Sequence, residues 1–449
     1  MKKFIETLTN IWKIDELRNR VVLTLSLLLV YRLGSHVALP GIDTGQLSEL
    51  TQKTSGGGLL DILNAFTGGA FAKASVFALG IMPYISASIV VQLMGLAIPY
   101  LQKLQNEGES GRKTINQITR WLTIGICIVQ APAYLWGLKQ LGVPETAFVK
   151  GQGLDFIIPS VIILVTGTIF AMWLGEKITD RGIGNGISLL IMVGIIARLP
   201  QAFLQEVSSR VSENNGGWMV ILIEVIMWFV VILLSIMLVM AVRQIGVQYA
   251  RRTATGGYEE KDALGGARQF IPLKLNASGV MPIIFAQAIM FVPSALAGLS
   301  DSETAQSIQV EFSNMFGFWY NLVFALLIIT FTYFYTAITV PTNKMADDLK
   351  RSQGFIPGVR PGTETADYLD KIMSLITFPG SLFLVCLAVL PAIAYNVGIQ
   401  QGWALFYGGT SLLIMVGVAI DTMQQVNSYL LNRHYDGLMK TGKNRKVSA

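Results

Sequence analysis

The sequence predicts an all-α membrane protein: ten transmembrane helices in two inverted, pseudo-symmetric halves of five, with one short re-entrant plug helix. Three observations carry this. The composition is 52% hydrophobic and 14% charged, against about 25% charged in ordinary soluble domains, and the mean hydropathy is +0.53. The apolar residues gather into repeated runs, several long enough to cross a hydrocarbon core, which takes about 20 residues of helix. The cations concentrate in alternate gaps between those runs.

The chain opens on an amphipathic basic tail with Lys2, Lys3, Lys13, Arg18 and Arg20. The first span runs from Val21 to about Leu39; no small-residue cleavage pair follows it, so it is read as structure and not as a signal peptide. Arg32 stands late in this run, where a long side chain reaches the interface by snorkelling. After Gly56-Gly57-Gly58 comes a short apolar piece, Leu59 to Phe66, which breaks at Gly68-Gly69 and meets Lys73. It is too short to span, so at membrane depth it must be buried in protein or line a watery cavity. A glycine hinge joins it to a long apolar run, Ala74 to Tyr100, the second span. Spans three to six are expected at about Ile115–Trp136, Phe156–Leu174, Ile187–Phe203 and Trp218–Val242. Spans seven to ten follow at about Leu275–Leu299, Phe318–Val340, Ile372–Ile393 and Trp403–Val426.

Ten spans put both termini on one side. Placing the tails and the even-to-odd loops in the cytoplasm collects most of the 34 Lys and Arg residues there, which orients the protein by the positive-inside rule. The net charge of +6 is therefore first a topology signal.

Gly80-Ile81-Met82-Pro83-Tyr84-Ile85 in span two resembles Gly279-Val280-Met281-Pro282-Ile283-Ile284 in span seven. The two spans are five apart and so cross in opposite directions, as two halves related by a pseudo-two-fold axis in the membrane plane would. Within span two, Ile81, Ile85, Ser88 and Gln92 fall at i, i+4, i+7 and i+11, one stripe of a helix. Ile187 and Ile191 repeat the i, i+4 spacing in span five. An apolar stripe that turns polar suits a cavity, because amide side chains facing lipid are costly.

Enzyme chemistry finds no footing. Cys127 and Cys386 sit in apolar runs and suggest neither a disulfide framework nor a metal site. His36 and His434 are far apart and lack ligand-spaced partners. Gly182-Ile183-Gly184-Asn185-Gly186 lies between two spans and not after a strand, so it is no dinucleotide fingerprint. Gly437 to Lys443 has phosphate-loop spacing, but Asn444 stands where Ser or Thr would bind magnesium. No catalytic residue, cofactor, metal or direct DNA contact is expected, and any energy for transport must come from outside the chain.

Several motifs resemble the SecY family, the central channel subunits of bacterial protein translocation. Ala78 to Ser88 resembles that family's second-span signature, and Gly175-Glu176-Lys177-Ile178-Thr179-Asp180-Arg181-Gly182-Ile183-Gly184-Asn185-Gly186-Ile187-Ser188 its entry to span five. Pro357-Gly358-Val359-Arg360-Pro361-Gly362 resembles its last large cytoplasmic loop, and Gly408-Gly409-Thr410-Ser411-Leu412-Leu413-Ile414 its tenth span. The matches lie in order and cover nearly the whole chain.

The resemblance implies an inner-membrane channel that passes unfolded secretory polypeptides and releases transmembrane segments sideways into lipid. Its N-terminal half would be residues 1–212, with the plug at about 58–68; its C-terminal half would be 213–449, with large cytoplasmic loops at 243–274 and 341–371. The matching pore-ring positions are Ile81, Ile85, Ile187, Ile191, Ile284 and Ile414. Plug residues would be Leu59, Leu60, Ile62, Leu63 and Phe66, and Ser88, Gln92 and Asn276 would belong to a lateral gate between spans two and seven. Arg251, Arg252 and Arg360 would dock cytoplasmic partners: the motor ATPase SecA and the ribosome. SecE and SecG are the implied small subunits; signal peptides, nascent chains and membrane lipids are the implied clients and surroundings. One departure is the stretch Thr253 to Phe270, with Glu259, Glu260 and Asp262, longer and more acidic than that family's usual loop. Two alternatives stay open: a secondary transporter, for which Glu224 and Asp421 are the acids inside or near a span, and an insertase without a pore.

Overall fold

The computed structural model describes residues 12, 14–42, 67–140, 154–212, 217–249, 268–297, 311 and 314–443. They form α1 (Asp15–Gly34), α2 (Met82–Ala97), α3 (Pro99–Asn106), α4 (Glu109–Gln140), α5 (Leu154–Arg181), α6 (Gly186–Ser212) and α7 (Gly217–Met240). Then come β1 (Val242–Tyr249), β2 (Arg268–Lys274), α8 (Met281–Ala297), α9 (Phe318–Thr339), α10 (Thr342–Arg351) and β3 (Gly354–Phe355). The chain closes with α11 (Thr363–Asn396), α12 (Gln401–Ala404) and α13 (Gly409–Lys443).

Every expected span carries a helix: α1, α2, α4 to α9, α11 and α13. Among the described residues, six are long and apolar enough to cross a membrane unaided: α4, α5, α6, α7, α9 with its continuation through α10, and α11. Span two departs most from expectation. Its helix has 16 residues, about 24 Å at 1.5 Å per residue, short of a hydrocarbon core of about 30 Å. Residues 67–80, which include the expected start of the span at Ala74, are a run of turns. At the far end, Pro99 follows extended Ile98 and the chain turns by 104° into α3. The α region is disfavoured for a residue before proline, so the helix stops there.

Two compact units make up the chain: residues 1–204 with 418–449, and residues 205–417. In the first, α2 packs on α4, α4 on α5, and α5 on α1. A buried cluster of Leu39, Ala74, Ala78, Leu79, Tyr134, Phe156 and Leu164 encloses the irregular run. In the second, α9 packs on α8 and α11, and α7 on α11.

The second unit also holds a small sheet of order β2-β1-β3. β1 pairs antiparallel with β2 from Val242↔Lys274 to Gln248↔Arg268, and β3 adds at Tyr249↔Gly354. Ile245, Val247 and Leu273 are buried against Leu349, Ile356, Leu369 and Met373. Their spacing of two is a strand signal in the sequence, so a short sheet stands where an all-helical reading expected only loops. The helical class of the protein is unaffected. The acidic stretch beyond Tyr249 lies outside the described residues, except Arg268 to Phe270, which open β2.

Within the second unit, a charged cluster ties the last turns of α6 to α7 and to the stretch after α11. Arg210 Nε donates to Glu206 Oε1 at 2.8 Å, and its Nη2 donates to Glu224 Oε1 and to the Gly398 carbonyl, both at 2.7 Å. Gln400 N–H donates to Glu206 Oε2 at 2.8 Å. Both carboxylates are almost wholly buried. Removing the cation strands two buried anions, so Arg210→Ala is expected to cost about 3–5 kcal/mol. Glu224→Gln, which keeps the acceptor on Arg210, should cost much less. Thermal unfolding of the purified protein in detergent checks both; an unchanged midpoint for Arg210→Ala would contradict this account.

Candidate functional site

The six ring positions divide between the units: Ile81, Ile85, Ile187 and Ile191 in the first, Ile284 and Ile414 in the second. Ile81, Ile191 and Ile414 are buried; Ile85, Ile187 and Ile284 are half-buried. The units can be built up separately.

In the first, the entry to α2 is set by Gly80, whose φ is +54°, a region open to glycine and strained for branched residues. Gly80 N–H closes a turn on the Phe77 carbonyl at 2.9 Å, and the helix opens with Ile85 N–H on the Ile81 carbonyl at 3.1 Å. Pro83 takes the second helical position, where its missing N–H costs nothing. A Cβ on Gly80 would lie 3.1 Å from Thr67 Cγ2. Gly68, the next residue, packs on Gly194, where a Cβ on Gly68 would lie 2.8 Å from Gly194 Cα. Gly194 is one turn along α6 from Ile191. The short stretch Thr67–Gly68 therefore touches the residue before Ile81 on one side and the turn after Ile191 on the other.

In the second unit the same backbone recurs. Gly279 has φ +62°, and its N–H meets the Asn276 carbonyl at 3.4 Å. α8 opens at Met281, with Ile284 N–H on the Val280 carbonyl at 3.3 Å. The likeness of six letters is thus a likeness of turn, glycine conformation and helix start. Gln287 Nε2 donates to Thr410 Oγ1 at 3.5 Å, a long bond. Gln287 follows Ile284 by three residues and Thr410 precedes Ile414 by four, so each lies on the same side of its helix as the neighbouring isoleucine.

Of the gate residues, Gln92 Nε2 donates to Ser88 Oγ at 3.4 Å one turn away on α2. Asn276 Oδ1 accepts from Ser278 Oγ at 3.3 Å before α8. Arg360 sits on the turn between β3 and α11: its carbonyl accepts from Thr365 Oγ1 at 2.8 Å, while its side chain is 88% exposed, 3.7 Å from Glu364. The backbone is held and the guanidinium is presented. Leu59, Leu60, Ile62, Leu63 and Phe66, with Arg251 and Arg252, lie outside the described residues.

The glycine-rich turn between α5 and α6 spends its amides internally. Ile183 N–H donates to Thr24 Oγ1 at 3.1 Å and Gly184 N–H to Gln425 Oε1 at 2.9 Å. Gly186 N–H donates to Thr179 Oγ1 at 2.9 Å, and Asn185 Oδ1 caps α6 through Ile187 N–H at 3.1 Å. Donors committed in this way are not a phosphate cradle; the motif is a joint that fixes where Ile187 begins its helix.

Known proteins settle the family. The SecY family model matches residues 75–423. The chain belongs to the SecY family. It is 38% identical to protein translocase subunit SecY of Thermotoga maritima, over 97% of this chain and 98% of that one. It is 39% identical to the SecY subunit of Haemophilus influenzae, over 95% and 94%. Among solved structures it resembles a protein-conducting channel, with TM-score 0.57 and 16% identity over 91% of each chain. It also resembles an idle yeast Ssh1 complex bound to the yeast 80S ribosome, with TM-score 0.59 and 14% identity over 92% of this chain and 89% of that one. These likenesses and the apolar helices make it a multi-pass membrane protein with the SecY fold.

Sequence reasoning missed Arg32, Thr67 and Arg210 as organising residues. Only Arg210 carried a signal, the i, i+4 spacing from Glu206. If Gln287 and Thr410 do no more than align two faces, a double-mutant cycle of Gln287→Leu with Thr410→Val should return a coupling of about 0.6 kcal/mol. Unfolding midpoints of the three variants measure it, and a coupling of zero would remove the contact from the account.

Proposed function

We propose that this SecY-family chain is the pore subunit of a protein translocase. It would pass unfolded secretory polypeptides across the inner membrane and release transmembrane segments into lipid between spans two and seven. The observation that carries the proposal is the placement of the isoleucines. Thr67–Gly68 lies against Gly80, the residue before Ile81, and against Gly194, one turn after Ile191, and Gln287 meets Thr410 three and four residues from Ile284 and Ile414.

The chemistry suits an unspecific passage. Six isoleucines around one axis would make a narrow apolar constriction that dewets and blocks ions. They offer no hydrogen bond, so they favour no client sequence. Each buried side chain is worth roughly 1.5–3 kcal/mol, enough for a seal that a polypeptide can still part. The piece from Leu59 to Phe66 would stopper the ring, and Ser88, Gln92 and Asn276 would form a weak polar seam between spans two and seven. Both termini would face the cytoplasm, as the cation distribution requires. Arg360, with Arg251 and Arg252, would meet SecA or the ribosome, since protruding guanidiniums suit carboxylate and phosphate. SecE and SecG would brace the pair of halves.

The transporter alternative loses support from one observation: Glu224 is bound by Arg210 near the start of α7, in a tie between helix ends.

Replacing several ring isoleucines by serine or glycine is expected to make the resting channel conduct ions in planar bilayers. An arrested polypeptide should cross-link to photoreactive residues placed at Ile81 and Ile284. Wild-type conductance together with no cross-link would reject the pore, and cross-linking without ion leak would favour an insertase. Separately, Arg360→Glu is expected to impair SecA-driven transport of a secretory precursor into vesicles; normal transport would remove Arg360 from the docking surface.

A further inference from the structure

A cation in the last turn of an apolar helix ordinarily extends to the headgroups. Arg32 turns to the protein instead. Its Nη1 donates to the Gly68 carbonyl at 2.9 Å and lies 3.4 Å from Ser35 Oγ. Ser35 is 1% exposed, and its hydroxyl donates back to the Arg32 carbonyl at 2.7 Å. One nitrogen with two protons thus serves both oxygens, and Ser35 steadies head and stem together.

The group that Arg32 grips is an elbow. Gly68 and Gly69 have φ of +65° and +89°. A Cβ on Gly68 would lie 2.9 Å from Arg32 Nη1 as well as 2.8 Å from Gly194 Cα. Gly68 is therefore wedged between a guanidinium and the backbone of α6, with no room there for a side chain. Thr67, just ahead of it, is 2% exposed, and its Oγ1 accepts from Phe71 N–H at 3.1 Å. From this elbow the irregular run continues to Gly80 and the start of α2.

We infer that Arg32 is a positioning residue of the pathway: by holding the Gly68 carbonyl it fixes the stretch that lies beside Ile81 and the Ile191 turn, and the sealed state depends on that hold. The inference rests on the channel reading above. A charged donor to a buried carbonyl is hard to replace, because loss of the donor leaves the carbonyl unsatisfied where water is scarce.

The test uses the full chain as purified with its membrane partners, in Arg32→Gln, Arg32→Lys and Gly68→Ala forms, beside a ring control in which Ile81 and Ile85 are serine. Two quantities are read: hydrogen exchange at the elbow amides of Ala70, Phe71 and Lys73, and resting conductance in planar bilayers. Arg32→Gln and Gly68→Ala should speed exchange at these amides by about tenfold or more and raise resting conductance. Arg32→Lys, which keeps a charged donor, should restore most of both. Should Arg32→Gln fail to accumulate, Gly68→Ala carries the same comparison. Wild-type exchange overturns the inference, and so does faster exchange with wild-type conductance while the ring control leaks. If the ring control is silent as well, the channel reading is what fails, and exchange alone then decides whether Arg32 holds the elbow.

Discussion

A backbone without helix or sheet, set among membrane-spanning helices, must find a partner for every buried N–H and C=O inside the protein. Residues 67–80 impose that requirement on the whole first unit. Leu39 N–H donates to the Ala74 carbonyl and Val76 N–H to the Val37 carbonyl, each at 2.9 Å, so the turn after α1 acts as a one-rung strand partner. Tyr134 Oη, from α4, donates to the Phe71 carbonyl at 2.7 Å, and Arg32, from α1, reaches Gly68. Aromatic rings fill the remaining space: Phe77 stacks between Tyr31 at 5.5 Å and Phe170 at 6.1 Å. Three helices thus lend side chains or flanking backbone to one irregular stretch. Their placement is as much a matter of satisfying it as of packing on one another.

This explains which parts of the fold could be read from the chain. Helices that satisfy their own backbone announce themselves by length and hydropathy, and α4, α5, α6, α7, α9 and α11 lie where the apolar runs lie. The run from Ala74 to Tyr100 is equally apolar, yet only its stretch from Met82 to Ala97 is the helix of the span. Hydropathy reports where a residue is buried and is silent on who completes its hydrogen bonds. Arg32 illustrates the same blindness: its partner is 36 residues away, and no periodicity records a contact of that kind. The sheet was legible in principle, since Ile245 and Val247 alternate with polar neighbours, but a two-residue alternation beside a long apolar helix is easily absorbed into a loop.

Of the candidate site, the helix faces were legible and the contacts that flank them were not. Spacing alone puts Ile81 and Ile85 on one stripe and Ile187 and Ile191 on another, because helical geometry is local. The repeated Gly-x-Met-Pro also carried its meaning, since a glycine at positive φ followed by a proline two residues into a helix is a local arrangement that recurs wherever the letters do. The contact nearest Ile284 and Ile414 is a pair of polar side chains, Gln287 and Thr410, on helices far apart in sequence. Thr67 and Gly68 depend likewise on Gly80 and Gly194, a joint built from the absence of side chains.

The polar features of the molecule fall into place through the same accounting. The glycine-rich turn before α6 looks like a ligand loop in sequence, but its amides are consumed by Thr24, Thr179, Asn185 and Gln425. The acid inside α7 looks like a transport site, but its free energy is tied to Arg210 and the end of α11. The amides of the turn and the Arg210 cluster both go to fixing helix ends. A surface that holds its shape through buried polar joints, and presents only branched hydrocarbon where a client would pass, opposes entry by dewetting and not by recognition. For a passage that must admit chains of any sequence and still hold back ions, rigidity at the joints and indifference at the waist are complementary demands on one structure.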